Sequence, residues 1–427
     1  MTMMRDARGL EATGADARAL EHYERALDAF LSWSGDAHAE THRALAAAPA
    51  FVLGHLLAAY LHLCSRDPSV KPEAQRALER ARRLPRNARE RSHATVIATA
   101  LRGDWGRAAE QLGRILERHP RDLLALATVH TFDYYLGNTR ALHARIEAAQ
   151  RAWSPAERGY AGLLAMLAFG LEEAGEYARA EDAAFAALAL EPRCLRAHHA
   201  RAHVLEMLGR ADEGIRWMGE RSAHWTGQGA SSTHLWWHLA LHHLELGNAR
   251  HALAIYDRRI AQDAPSLNEL IDASALLWRL RLVGADPGAR WRSLAERWAP
   301  HAEDAFCAFN DLHAMMAFAG AGRRDLAQRL LSAQQRRLAL GGTNAGMLWT
   351  VGLPASRSLA AYGEENYDLA ASLLRPLPEV SHRLGGSRAQ HGLLALTLQA
   401  AEKWGRGRIV SRGRNSTLSP LFSARAA

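Results

Sequence analysis

The chain has 427 residues, of which 48% are hydrophobic and 23% charged, a balance typical of a globular protein and not of a disordered one. Its longest apolar stretch, residues 160–171, is shorter than the roughly 20 residues that a membrane-spanning helix needs. The N-terminal residues show no apolar run of the signal-peptide type, and the three cysteines lie too far apart in sequence to suggest a disulfide framework. A cytoplasmic protein that makes no membrane contact is therefore expected.

The formal net charge of +8 raises the possibility of a nucleic-acid partner, but the position of the charge argues against it. Residues 404–427 contain five arginines and no acidic residue, and removing five from +8 leaves +3 for the rest of the chain. A nucleic-acid-binding domain would cluster its positive charge on the folded body. Nucleic acid is therefore disfavoured as a partner, and the Gly-, Arg- and Ser-rich segment 404–427 is predicted to be a disordered tail.

In chain order, residues 1–14 form an N-terminal lead, and helical hairpins fit at about 15–48 and 50–84. From there glycines recur at intervals of 34 to 41 residues. The glycines are Gly103, Gly137, Gly175, Gly209, Gly247, Gly284, Gly322 and Gly363. A proline follows most of them by about 17 residues, which is typical of helical hairpins that end on glycine and restart after proline. The pattern predicts about ten hairpins over 15–403, with no strand.

Individual segments have helical periodicity. Asp104 is a candidate N-cap for a helix whose apolar face carries Ala108, Leu112 and Ile115. The segment 176–190 repeats this pattern with alanines at 180, 184 and 187.

These residues resemble the tetratricopeptide repeat. Ala180, Ala187 and Pro192 match its second-helix positions, and Leu167 and Ala168 match its Leu-Gly positions. Together with the stretches HARAHVLEMLGRADEGIRWM, HLWWHLALHHLELGNARHALAIYD and FNDLHAMMAFAGAGR, the chain is similar to the tetratricopeptide repeat protein 38 family from about residue 15 to 400. The resemblance implies an all-α, right-handed superhelical solenoid of antiparallel helix hairpins, in which the first helices line a concave groove. It implies no particular activity.

Histidines dominate the segment 194–248, and several are spaced three or four residues apart. Counted back from the turn glycines, six of them fall on one face of the first helices, within an arc of about 140°. These six are His199, His203, His234, His238, His242 and His313. The solenoid resemblance implies that they face one cavity, with Glu206, Trp237, Asn310 and Asp311 nearby. His198 is expected to point away and to be exposed, whereas His130 and His243 are expected to pack between helices. Asp133 and Glu172 either extend the polar groove or are solvated.

Two functions remain open for this set of residues. The first is a groove lined by His and Trp that binds a peptide or a small molecule, as concave repeat surfaces do. The second is a metal-dependent enzyme, because histidine pairs at i, i+4 match the spacing of helix-borne zinc ligands. In that case the imidazoles of His199, His203, His234, His238 and His313, with a carboxylate such as Asp311 or Glu206, would bind Zn²⁺ or Fe²⁺.

Overall fold

The computed structural model describes residues 3–410, and it places side chains from residue 4 to residue 405. Helices make up most of this part of the chain. The chain divides into two compact units. The first unit runs to Val204 and includes Arg221–Ser232, and the second comprises Leu205–Glu220 and the chain from Thr233 onward.

The helices of the first unit follow a short β-hairpin. The strands are β1 (Met3–Arg5) and β2 (Glu11–Thr13). The helices are α1 (Ala17–Ser32), α2 (Ala37–Ala47), α3 (Val52–Leu63), α4 (Lys71–Arg83), α5 (Ala88–Leu101), α6 (Trp105–Arg118), α7 (Leu123–Leu136), α8 (Thr139–Gln150), α9 (Tyr160–Glu173), α10 (Tyr177–Leu190) and α11 (Leu195–Met207), the last of which ends in the second unit. Single 3₁₀ turns form at Pro68–Val70 and Ser222–His224.

The second unit continues the same alternation. Its helices are α12 (Ala211–Arg221), α13 (Ala230–Glu245), α14 (Ala249–Ile255), α15 (Leu267–Leu282), α16 (Arg290–Trp298), α17 (Ala308–Gly320), α18 (Arg324–Leu338), α19 (Thr343–Met347), α20 (Leu353–Gly363), α21 (Tyr367–Leu374), α22 (Arg388–His391) and α23 (Leu393–Val410). Helix α14 ends in a π-helical turn at Tyr256–Ile260, and another precedes α20 at Leu348–Gly352. Short 3₁₀ segments lie at Ala299–His301 and Pro378–Leu384.

Side-chain caps fix where many of these helices begin. The predicted N-cap Asp104 accepts the Arg107 N–H at 3.2 Å, and α6 starts directly after it. Capping boxes start α5 and α15, the second through Ser266 and Glu269. Such side chains bind backbone N–H groups that have no partner within the helix, so each boundary is encoded locally.

The helices pack in sequential pairs, and the two members of a pair differ in burial. In the first unit α3 packs on α4, α5 on α6 and α9 on α10, and α3 also packs on α5. Almost every residue of α9 is buried, whereas α10 buries only Ala180, Ala184 and Ala187. In the second unit α15 and α17 are buried along nearly their whole length, while α16 and α18 bury one face. Helices α9, α15 and α17 are therefore covered on both sides.

Helix α1 provides part of that cover in the first unit, because it packs against both α7 and α9. A side chain at Gly162 of α9 would place its Cβ 2.8 Å from the Leu31 Cβ, so α1 approaches α9 as closely as glycine permits. The β-hairpin sits beside α1, where the buried Arg8 guanidinium binds Glu24 at 2.7 Å. The prediction that the chain contains no strand is wrong for this hairpin, which pairs Met4 with Ala12.

The last helices cover part of the second unit in a similar way. Helix α23 packs against α15 and α21. The buried Trp278 indole N–H donates to the Thr397 hydroxyl at 3.0 Å, and the Arg279 guanidinium donates to the Ala389 carbonyl. Helix α23 runs to Val410 and so enters the segment 404–427 that was predicted to be disordered. The remainder of that predicted tail, 411–427, lies outside the described residues.

The glycine pattern identifies the turns correctly at seven of its eight positions. Gly103, Gly137, Gly175, Gly209, Gly247, Gly284 and Gly322 all have φ between 65° and 85°, the left-handed region that favours glycine. Gly363 differs, because it lies within α20, where a Cβ would come 2.8 Å from the Ala319 Cβ. The turn there is made by Glu365, with φ of 59°.

Across residues 3–410, no helix combines the length and the apolar character that crossing a membrane requires.

Candidate functional site

The predicted histidines are divided between the two units. His199 and His203 lie in the first, and His234, His238, His242 and His313 lie in the second. The prediction that all six line one cavity concerns both units together and stays a prediction. Each unit is described separately below.

In the first unit, His199 and His203 contact each other as their i, i+4 spacing predicts. Their Nε2 atoms are 3.0 Å apart, so one ring donates this hydrogen bond and the other accepts it. Phe169 of α9 stacks on the His199 ring at 5.2 Å and meets the His203 ring edge-on at 5.3 Å. Both histidines are buried, at 4% and 0% exposure, so the rings are fixed by packing and do not line an open surface.

Two carboxylates at the end of α9 lie beside His203. Glu172 and Glu173 are both fully buried. The Glu172 Oε2 lies 3.5 Å from the His203 Nδ1, and one ligand atom from each of the three residues lies within 4.8 Å of the others. The sequence left open whether Glu172 is solvated, and its complete burial shows that it is not. Glu173 was not predicted, although two successive glutamates at the end of an apolar helix were a signal for it.

Arg196, one turn before His199, joins α11 to the end of α1. Its Nε donates to the Leu31 carbonyl at 2.7 Å, and its Nη2 donates to the Phe30 carbonyl. Its guanidinium also lies 4.3 Å from the centre of the Trp33 ring. Burial lowers the pKa of Arg196 to about 10, which still leaves the side chain charged at neutral pH. The cation therefore binds helix-terminal carbonyls, where the helix dipole is negative.

In the second unit, His234 and His238 lie one turn apart on α13, and each is held by a carboxylate from another helix. The His234 Nδ1 is 2.8 Å from the Asp272 Oδ1, and Asp272 is on α15. The His238 Nδ1 is 3.1 Å from the Glu206 Oε2, and Glu206 is on α11. The two imidazole rings meet edge-on with centroids 4.9 Å apart. A carboxylate at Nδ1 fixes the orientation of an imidazole and directs its Nε2 toward a ligand or metal ion.

Electrostatics and exposure distinguish these two histidines. Burial lowers the pKa of His238 to about 4, so this imidazole is neutral at physiological pH despite the nearby Glu206. Burial also raises the pKa of Asp272, opposed by its contact with His234. The side chain of His234 is 18% exposed, whereas the other candidate residues are all less than 9% exposed. His234 is therefore the member of the candidate set that solvent reaches.

Trp237 and His242 belong to the packed interior of the second unit. Trp237 is fully buried and stacks on the His234 ring at an interplanar angle of 9°. His242 is fully buried against Gly214, where a Cβ would lie 2.5 Å from the His242 Nε2. Neither ring nitrogen of His242 has a hydrogen-bond partner among the described residues, and burial lowers its pKa. His242 is thus a neutral packing residue of α13 against α12.

Of the three candidates on α17, His313 and Asp311 each have a hydrogen-bond partner. Asn310, Asp311 and His313 are all buried. The His313 Nδ1 donates to the Phe309 carbonyl at 2.8 Å, within its own helix. Asp311 accepts a hydrogen bond from the Gln334 amide of α18 at 3.2 Å. Burial raises the pKa of Asp311 to about 7.

His313 was predicted to be a metal ligand, and the structure gives that prediction no support. Among the described residues, it belongs to no cluster of three or more potential ligand atoms.

Two further histidines show what spacing alone does not predict. His198 was expected to be exposed but is 2% exposed, because its Nε2 bonds the Pro192 carbonyl at 3.0 Å and its ring stacks on His224. His130 is buried and bonds the Met166 carbonyl, as expected for an interhelix residue.

A buried network in the first unit was missed by the sequence reading. Asp122, the N-cap of α7, contacts the His93 Nε2 at 2.9 Å and the Arg89 Nη1 at 2.8 Å, and the Tyr60 hydroxyl contacts the His93 Nδ1 at 3.0 Å. Burial would raise the pKa of Asp122, but His93 and Arg89 outweigh it and hold that pKa well below its usual range. Tyr60 keeps its proton because burial raises its pKa. The network is a structural link between α3, α5 and α7.

A comparison of the sequence with models of known protein families finds no match.

Proposed function

We propose that this protein is a helical-repeat protein of the tetratricopeptide type, stacked as a right-handed solenoid, and that it is a metal-dependent enzyme acting on a small molecule. The sequential helix pairs and the left-handed turn glycines support the repeat assignment. The cysteines form no disulfide among the described residues, which fits the predicted cytoplasmic location.

One observation carries the metal assignment. His234 and His238 lie one turn apart on α13, and each Nδ1 is bound by a carboxylate, Asp272 or Glu206. Histidines that bind metals usually donate the other ring N–H to a carboxylate, which fixes the tautomer and makes the ligand nitrogen more basic. The i, i+4 spacing is that of helix-borne zinc ligands. Zn²⁺ or Fe²⁺ is the ion that such imidazoles favour.

In this assignment His234 and His238 bind the ion through Nε2, while Asp272 and Glu206 orient their rings. When bound, the ion supplies a Lewis acid that can activate a water molecule or polarise a carbonyl group. The partial exposure of His234 gives access to a small molecule.

A groove that binds an extended peptide has less support. Peptide recognition on a repeat surface requires exposed side chains, and nine of the ten candidate residues are buried. Helix α17, from which three of them come, is buried along nearly its whole length.

The test is the metal content of the full-length protein. Wild type and the variants His234→Ala and His238→Ala are purified from medium supplemented with zinc and iron and analysed by inductively coupled plasma mass spectrometry. The matched control is His243→Ala, on the same helix, where the ring stacks on His251. We expect both site variants to lose about one equivalent of zinc or iron that wild type and control retain.

The proposal fails if wild type carries no metal and the protein stripped with chelator takes up no Zn²⁺ in equilibrium dialysis at micromolar concentration. It also fails if His238→Ala retains the same zinc or iron as wild type.

A further inference from the structure

We propose that Glu172, Glu173 and His203 of the first unit bind a divalent cation of the Mn²⁺ or Fe²⁺ class. The site uses none of the four residues assigned to the α13 ion, and the experiments below distinguish the two sites.

The ligand atoms are spaced as a metal site requires. Two ligands that are each about 2.0–2.2 Å from one ion lie about 3.0–3.5 Å apart. The Glu172 Oε2 and the His203 Nδ1 are 3.5 Å apart, which matches this spacing and is long for a hydrogen bond. One carboxylate oxygen of Glu173 lies within 4.8 Å of a ligand atom of Glu172 and of a ligand atom of His203, so the three side chains can converge on one ion.

The position of the two glutamates suits a positively charged ligand. The two residues are adjacent in sequence and fully buried. Neighbouring ionised carboxylates repel each other strongly in a medium of low dielectric constant. The two glutamates are also the last two residues of α9, where the helix dipole is negative and disfavours further negative charge. A divalent cation bound between the two carboxylates would neutralise their charge and offset their mutual repulsion.

His203 can serve as the nitrogen ligand because its neighbour stabilises the required tautomer. Ligation through Nδ1 needs a lone pair on that atom, so the proton must be on Nε2. The His203 Nε2 lies 3.0 Å from the His199 Nε2, which can accept that proton in a hydrogen bond. Phe169 packs against both rings and holds them in this arrangement. His199 is therefore a positioning residue for the ligand His203.

The donor set decides the class of ion. Two carboxylate oxygens and one imidazole nitrogen form a harder set than a pair of histidines, and such oxygen-rich sites suit Mn²⁺ and Fe²⁺. Three protein ligands leave further coordination positions for water or another small ligand.

The experiment titrates Mn²⁺ into the full-length, chelator-stripped protein and follows the electron paramagnetic resonance signal of unbound Mn²⁺. The variants are Glu172→Gln and Glu173→Gln, which keep side-chain size while removing the charge. The control is Glu176→Gln, three residues further on, where the carboxylate is partly exposed and pairs with Arg179. We expect both site variants to weaken Mn²⁺ binding at least tenfold and the control to change it less than twofold.

Two further measurements separate this site from a structural role and from the α13 site. Melting curves of wild type and Glu173→Gln in EDTA give the metal-free reference, and the rise in melting temperature that Mn²⁺ causes in wild type should disappear in the variant. His238→Ala should bind Mn²⁺ as wild type does. In ¹⁵N NMR, Mn²⁺ should broaden the His203 ring resonances beyond detection, and the diamagnetic Zn²⁺ should shift its Nδ1 resonance.

The proposal is overturned if wild type binds no Mn²⁺ at millimolar concentration, or if both glutamine variants bind it as tightly as wild type. It is also overturned if Mn²⁺ binding is lost in His238→Ala and retained in Glu173→Gln, because the ion would then belong to α13.

Discussion

Replacing Asp311 by asparagine tests whether a carboxyl group on α17 is buried at an energetic cost. Asp311 is 4% exposed, and among the described side chains only the Gln334 amide donates a hydrogen bond to it. The side-chain oxygen of an asparagine at this position can still accept that hydrogen bond. Burial raises its pKa from 3.8 to about 7, while the Gln334 hydrogen bond lowers it in part and the Asp304 carboxylate adds to the rise. Asp311→Asn therefore removes the titrating group and keeps the shape of the side chain.

The sign and the size of the effect follow from the pKa of Asp311 in the two states. Below pH 4 the carboxyl group is protonated in both states, and its ionisation costs no stability. Between pH 4 and pH 7 only the unfolded chain loses the proton, so the free energy of unfolding falls as the pH rises through this window. A shift of about three pKa units corresponds to about 4 kcal/mol above pH 7, and to about 1.5 kcal/mol at pH 5.

Asp311→Asn should therefore stabilise the protein by about 2.5 kcal/mol more at pH 8.5 than at pH 5. The measurement is urea unfolding at the two pH values, followed by far-ultraviolet circular dichroism. The control is Asp325→Asn, because Asp325 is exposed and its ion pair with Arg323 lowers its pKa to about 2, below both test conditions. An equal change at pH 5 and pH 8.5, or a loss of stability at pH 8.5, would refute the reasoning.

The remaining predictions concern packing and buried charge. Gly170→Ala should destabilise the protein by about 2 kcal/mol, because its Cβ would lie 2.7 Å from the backbone nitrogen of His143. Gly346→Ala, where a Cβ meets nothing within 4 Å, should instead stabilise it by up to about 1 kcal/mol, and urea unfolding of both variants checks the contrast. Asp122→Asn should lower the free energy of unfolding by about 3–5 kcal/mol at pH 7, because the ionised Asp122 stabilises the folded state. The loss should become smaller as the pH falls, since protonation of Asp122 removes the same stabilisation from wild type, and urea unfolding between pH 7 and pH 3 measures the difference. Arg196→Met should cost about 1–3 kcal/mol by leaving two α1 carbonyls without their donor, and a thermal melt reports the loss.

Local features of the fold were predictable from the sequence. The helix that starts after Asp104 and the turns at seven glycines depend on interactions within a few residues, which periodicity and capping rules describe. The turn near Gly363 was misplaced, because that glycine is required by contact with Ala319 of α17, and sequence spacing carries no information about such a contact.

The contacts of the histidines were predictable only within a helix. The i, i+4 pairing of His199 with His203 follows from helical geometry. Their carboxylate partners do not, because pairing Asp272 with His234 joins residues 38 positions apart through the packing of α13 on α15. His198 was misjudged for the same reason, since its burial depends on His224 and on the Pro192 carbonyl.

The most direct test of the account is anomalous X-ray diffraction from crystals of the full-length protein grown with Zn²⁺. The account predicts a zinc-edge peak about 2.0–2.1 Å from the Nε2 atoms of both His234 and His238, and no peak there in His238→Ala. A wild-type crystal without anomalous density at these two nitrogens would contradict it.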